Sequence, residues 1–118
     1  MTPLRIDIVE TPRGIIIRLG GDGGTVAVDA LQRPLSGIQA RRPNLVIFDL
    51  AELATVASLF MGALVSFRRA LVRIGGSVKL ARMRPLVLEA FQRARLDRLF
   101  EITNSVELPV EAATASPG

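Results

Sequence analysis

Asn44-Leu45-Val46-Ile47-Phe48-Asp49-Leu50 is nearly all apolar and does not alternate, the pattern of a strand covered on both faces at the centre of a sheet. Downstream, the uncharged stretch from Leu53 to Phe67 is closed by Glu52 and Arg68. It is shorter than the ~18–20 residues of a membrane span and reads as a buried helix with its lead-in. Phe60, Leu64, Phe67, Leu71 and Ile74 fall on one stripe of that helix, and Gly75-Gly76 supplies the residue type that accepts a left-handed cap. Ser77-Val78-Lys79-Leu80-Ala81 then returns as a strand. Strand, helix and strand in this order imply parallel neighbours joined by right-handed crossovers.

Towards the N-terminus, Leu4, Ile6 and Ile8 alternate with Arg5 and Asp7, and Gly14-Ile15-Ile16-Ile17-Arg18-Leu19 is a β-branched run. With Thr11-Pro12-Arg13 between them, the two runs predict a hairpin. Gly20-Gly21-Asp22-Gly23-Gly24 reads as a turn. After it Val26, Ala27, Ala30, Leu31, Leu35 and Ile38 fall near helical spacing, with Thr25 as the expected N-cap. Pro34 predicts a kink or a late helix start.

Towards the C-terminus, Pro85 suits the first position of a helix whose inward residues are expected to be Leu86, Ala90, Phe91 and Ala94. Leu96 to Phe100 reads as a short turn and Ile102 as the start of an edge strand. The chain is therefore expected to be one α/β domain, residues 1–107, with helices packed against a mixed, roughly four- to five-stranded sheet. Residues 108–118, with two prolines and small side chains, are expected to form a poorly ordered tail.

Composition narrows the chemistry. The chain has no histidine, which excludes a Ser-His-acid triad, a His-ligated metal and an imidazole base. It has no cysteine, which excludes disulfides and thiolate metal sites and fits a reducing compartment. The first fourteen residues lack the continuous apolar core of a signal peptide, so a cytoplasmic location is expected. Neither cofactor nor metal is expected, and the chain is not expected to be an enzyme.

All but one of the 15 basic residues are arginines, and most lie between Arg68 and Arg98, where only Glu89 and Asp97 oppose them. One half of the surface should therefore be positive. Without Tyr, Trp or a basic run interleaved with aromatics, a solvated arginine-rich surface is the expectation rather than a nucleic-acid site.

Two further features invite a chemical reading. Asp49 and Glu52, placed at the end of the central strand, suggest a magnesium or acid–base pair, or simply a solvated pair. The glycine cluster lacks the Lys-Ser/Thr ending of a P-loop and does not match GxGxxG, so a flexible turn is expected there.

Ser58 stands between the central strand and the long helix, where its hydroxyl can cap the helix. The same position, near unpaired N–H groups and the positive end of the helix dipole, also favours a phosphate on that hydroxyl. Spacing puts Ser58, Gly62, Ser66, Arg69 and Arg73 on the face opposite the apolar stripe, with Gly62 leaving the serine sterically open.

The stretch from Gly14 to Glu107 resembles the STAS domain of bacterial anti-sigma factor antagonists. The resemblance rests on Leu19-Gly20-Gly21-Asp22, on Leu45 to Val65 followed by Gly75-Gly76, and on Arg84-Pro85 through Leu96-Asp97-Arg98-Leu99-Phe100-Glu101-Ile102. In that family an Asp-Ser-Ser-Gly-Leu-Gly motif opens the long helix, and a partner kinase phosphorylates its first serine. This chain reads Ala57-Ser58-Leu59-Phe60-Met61-Gly62 there. Ser58 and Gly62 match, whereas Ala57, Leu59 and Phe60 replace the aspartate, second serine and first glycine. In the earlier turn Asp22 keeps one familiar acid and Gly24 replaces the other.

The resemblance implies a non-catalytic regulatory domain that switches between partners, with Ser58 as phosphoacceptor. Its implied contacts are Asp22, Gly23 and Gly24 in the turn, then Ala57, Leu59, Phe60, Met61 and Gly62 at the helix start. Ser66 and Arg69 continue the surface. The implied partners are proteins: a serine kinase that is also an anti-sigma factor, other STAS proteins, or a second copy forming a homodimer. The same resemblance also fits a constitutive scaffold or transport-accessory subunit in which Ser58 is only a helix cap.

Overall fold

A computed structural model describes residues 3–106 of the chain. Strands β1 (Arg5–Thr11) and β2 (Gly14–Gly23) are followed by helix α1 (Ala27–Ala40), strand β3 (Leu45–Val56) and helix α2 (Ser58–Arg73). Strand β4 (Ser77–Ala81), helix α3 (Pro85–Arg93), a 3-10 turn (Asp97–Leu99) and strand β5 (Glu101–Thr103) complete the described part. The strands form one sheet in the order β1-β2-β3-β4-β5. β1 and β2 make the expected antiparallel hairpin, and every later pairing is parallel. The tail expected over 108–118 lies outside the described residues.

The helices pack against one face of the sheet. Ile17, Leu19, Phe48, Leu50 and Leu80 meet Leu31, Leu64, Leu71 and Phe91 in one buried cluster, and every buried helix residue belongs to it. Phe48 meets Phe67 edge to face at 5.5 Å, and Phe91 meets Phe100 at 6.1 Å. Burying each such side chain contributes roughly 1.5–3 kcal/mol. Leu45, Ile47 and Ala81 are buried on the other face, where Ile16 and Val106 pack on them. This double coverage explains why the central strand does not alternate. Among the described residues no helix is long and apolar enough to cross a membrane.

Several details differ from the sequence reading. β2 and β3 run on into the glycine cluster and to Val56, so Gly20–Gly23 is strand rather than turn, and Asp49 and Glu52 lie within β3 rather than at its end. The extension holds through parallel pairing down to Gly23↔Val56, with register shifts after Arg18 and Gly21. Glycine permits this: Gly21 has φ 88°, and a Cβ at Gly23 would lie 2.6 Å from the Thr55 carbonyl oxygen.

Helix α1 starts at Ala27 with Val26 as N-cap and no side-chain cap, so Thr25 does not cap it. A turn precedes it instead, with Ala27 N–H donating to the Gly24 carbonyl at 3.1 Å and Val28 N–H to that of Thr25 at 3.2 Å. Pro34 lies inside α1 and does not delay its start, because Leu31, Leu35 and Ile38 anchor the helix on both sides of the ring. In α3 the inward pair is Val87 and Phe91, one turn apart, while Leu86 is 70% exposed and Ala94 faces solvent.

Helix α2 ends as its glycines predict. Gly75 has φ 92° and Gly76 N–H donates to the Leu71 carbonyl at 2.9 Å. Arg95 makes the equivalent turn after α3 with φ 59°, Leu96 N–H donating to the Phe91 carbonyl at 2.9 Å. There a side chain carries the strain of a left-handed backbone, about 1–2 kcal/mol.

Candidate functional site

Because β2, β3 and β4 are parallel and each leads into a helix, α1, α2 and α3 all start at the same end of the sheet. The ends of β2 and β3 are tied together there. Thr55 Oγ1 donates to Asp22 Oδ1 at 2.8 Å, and Ala57 N–H donates to the Gly23 carbonyl at 2.8 Å. Asp22 is therefore engaged within the fold, and Gly23 is buried by the close approach of β3.

Ala57, not Ser58, is the N-cap of α2. Its backbone is extended at φ −99°, ψ 163°, and its carbonyl accepts the Met61 N–H at 3.0 Å. Ser58 is the first helical residue and is exposed, and the helix has no side-chain cap bond. The expectation that Ser58 caps the helix is thus corrected: an N1 hydroxyl starts one residue too late to reach back over the first turn. The first turn of α2 also carries no acidic residue.

Around Ser58 the side chains divide sharply. Phe60 and Met61 are core residues at 0% and 4% exposure, so the apolar residue presented to solvent here is Leu59, 61% exposed. A Cβ at Gly62 would meet nothing within 4 Å, so packing does not demand the glycine, and the surface beside the serine stays open. Ser66 and Arg69 continue that face in solvent. A shallow groove of about 490 Å³ runs between α1 and α2, bordered by Val28, Gln32, Leu59, Gly62 and Ser66.

Two residues of this end, Val26 and Leu86, fall on the inward side of their helices in the sequence reading, and the structure corrects both. Val26 is 90% exposed and Leu86 70%, and with Leu59 they are the most exposed large apolar side chains among the described residues. They belong to the starts of α1, α3 and α2 respectively. The signal for Leu86 was the spacing of Val87 and Phe91, which turns the residue before them outward.

Asp49 and Glu52 are each paired with an arginine, Arg82 and Arg5 respectively. Among the described residues no group of three or more acidic side chains is placed to hold a metal ion. Asp49 is buried on the helix-free face, where Arg82 Nε donates to Oδ1 at 3.1 Å and Arg82 Nη2 to Oδ2 at 2.7 Å. Ala51 N–H adds a bond to Oδ1 at 3.1 Å, and Arg18 Nε lies 3.6 Å from Oδ2. Burial pushes this carboxyl up, but the Arg82 bonds, the Ala51 N–H and the two positive charges outweigh it and hold the pKa below the usual carboxylate value. Glu52 is exposed and pairs with Arg5 at 2.9 Å. The cluster is a structural tie between β3 and the end of β4.

Solved structures share this fold. An anti-sigma factor antagonist from Mycobacterium paratuberculosis superimposes with a TM-score of 0.79 at 17% identity, covering 95% of this chain and 92% of that one. The anti-sigma factor antagonist SpoIIAA in its unphosphorylated form gives 0.78 at 19%, covering 97% and 100%. A STAS domain protein from Planctomyces limnophilus gives 0.74 at 17%, covering 93% and 96%. No curated protein matches the sequence. Residues 5–108 match the STAS domain family, and the chain belongs to that family.

Proposed function

We propose that this STAS domain is a non-catalytic, cytoplasmic regulatory protein that docks a protein partner at the end of the sheet where its helices start. The partner class is a serine kinase that doubles as an anti-sigma factor, and phosphorylation of Ser58 releases it. The observation that carries the reading is the placement of Val26, Leu59 and Leu86, strongly exposed at the starts of three helices that begin at one end. A contiguous exposed apolar patch, unlike a single exposed residue, marks an interaction surface. A phosphate on Ser58 would put about two negative charges beside Leu59, at a helix start that favours the anion and disfavours the apolar contact. SpoIIAA, which shares the fold, is known in a phosphorylated form as well as an unphosphorylated one.

Incubation with a purified serine kinase of the anti-sigma class and ATP, read by intact mass, tests this. The expected result is one added phosphoryl group that Ser58→Ala abolishes. An unmodified wild-type chain refutes the switch.

A second reading keeps the docking surface and drops the switch, giving a constitutive scaffold or transport-accessory subunit. The residues around Ser58 favour it, since Ala57 and Leu59 offer a kinase none of the polar groups found in the family motif. In that case Ser58→Asp leaves partner binding unchanged.

A further inference from the structure

The sheet has two edges, and they are unequal. β5 is three residues long, whereas β1 is seven, exposed along most of its length and, among the described residues, paired only with β2. Natural edges are usually blunted by a bulge, a proline, a lysine or a covering element. Among the described residues β1 has no bulge, proline, lysine or covering element, and the charges it carries are Arg5, Asp7 and Glu10: its register with β2 is continuous from Arg5↔Gly20 to Thr11↔Gly14. Ile8 and Val9 are 40% and 37% exposed on it.

We infer that β1 pairs antiparallel with β1 of a second copy, joining two sheets across a two-fold axis centred on Ile6. The choice of centre follows from charge. A two-fold axis normal to the sheet keeps each side chain on its own face, so residues can meet only in same-parity pairs. Centring on Arg5 or Asp7 sets a charge against itself. Centring on Ile8 sets Ile6 against Glu10, and centring on Val9 sets Ile8 against Glu10. Centring on Ile6 places Arg5 opposite Asp7 twice, Leu4 opposite Ile8 twice, and Ile6 opposite itself. Over residues 4–8 it alone matches opposite charges and apolar partners, the pairings that stabilise antiparallel neighbours, with Leu4 lying just before β1. Glu10, which would lie beyond the paired segment, is already engaged by Arg41, and Arg5, which bonds Glu52 within its own chain, would share its guanidinium between Glu52 and Asp7 of the second copy.

A single strand pair buries less than the ~1,200 Å² of a stable interface, so the dimer is a weak one with a Kd of order 10–1,000 µM. This inference is independent of the reading of Ser58, which concerns a different part of the molecule.

Sedimentation equilibrium of the full chain over a concentration series is the test. The expected result is a mass rising from 12.7 kDa towards twice that value. Asp7→Arg, which sets arginine against arginine, should hold the chain at the monomer mass, and Arg5→Asp with Asp7→Arg should restore the dimer by exchanging the charges. Thermal melts establish that each variant is folded. If Asp7→Arg fails to fold, Ile8→Lys supplies the same monomer test at an exposed edge position. A wild-type chain that stays monomeric up to about 1 mM, the upper end of the expected Kd range, overturns the inference. So does a dimer that folded Asp7→Arg or Ile8→Lys leaves intact, or a charge exchange that fails to restore it.

Discussion

Arg82 grips Asp49 through two parallel hydrogen bonds, at 3.1 and 2.7 Å, from a left-handed backbone with φ 58°. The carboxylate is 3% exposed and belongs to the central strand, whereas Arg82 lies just past the end of β4. Arg82 N–H also donates to the Thr103 carbonyl at 3.0 Å, so one residue links β3, β4 and β5. A bidentate guanidinium–carboxylate pair fixes direction as well as charge, which accounts for an arginine tolerating a backbone that normally favours glycine.

That pair makes stability depend on acid. The folded-state pKa of Asp49 lies below its ordinary value of 3.8, so its contribution is complete above the unfolded-state pKa and is lost as pH falls through the folded-state one. Thermal melts from pH 7 downward should show this loss chiefly below about pH 4. Asp49→Asn should melt lower at pH 7 and show a shallower decline with acid. Parallel curves for the two proteins would remove Asp49 as the cause.

Gly23 and Gly62 should respond oppositely to alanine. At Gly23 the new Cβ meets the Thr55 backbone oxygen at 2.6 Å, so β2 and β3 must separate, at a cost of about 1–3 kcal/mol. At Gly62 the Cβ meets nothing, and replacing a mid-helix glycine should stabilise the fold by about 1 kcal/mol. Urea denaturation of the two variants checks both signs.

These two glycines also show what the sequence could and could not reveal. The open surface at Gly62 followed from helical spacing from Ser58. The role of Gly23 did not, because its reason is a carbonyl of β3 that only the parallel pairing brings near. The glycine cluster looked like a turn for the same reason: backbone pairing, not an apolar pattern, makes it strand. The central strand, the hairpin, the Gly75 cap and the start of α3 at Pro85 were legible, since each depends on local residue types. Asp49 stood out as an acid in an apolar run, but its partner is 33 residues away. At the candidate site the position of Ser58 was readable, while its exact place at N1 and the burial of Phe60 and Met61 depended on where the helix begins.

Ser58 should behave as a residue that does not cap. Ser58→Ala should leave stability within about 0.5 kcal/mol of wild type, whereas loss of a true N-cap costs about 1 kcal/mol. Ser58→Asp should stabilise the fold by about 0.3–1 kcal/mol, because it adds an acid to a first turn that has none. Chemical denaturation distinguishes these outcomes, and a clear loss with alanine would restore the capping role.

The proposed docking surface is tested by the affinity of a purified anti-sigma-class serine kinase for wild type and Leu59→Glu, measured by calorimetric titration. Leu59 is exposed, so the variant should melt like wild type yet bind at least about tenfold more weakly, a loss of roughly 1.4 kcal/mol. Arg13→Glu, in the hairpin turn at the other end of β2, should bind normally. Equal affinity for Leu59→Glu and wild type, or an equal loss with Arg13→Glu, would rule out docking at this end of the sheet.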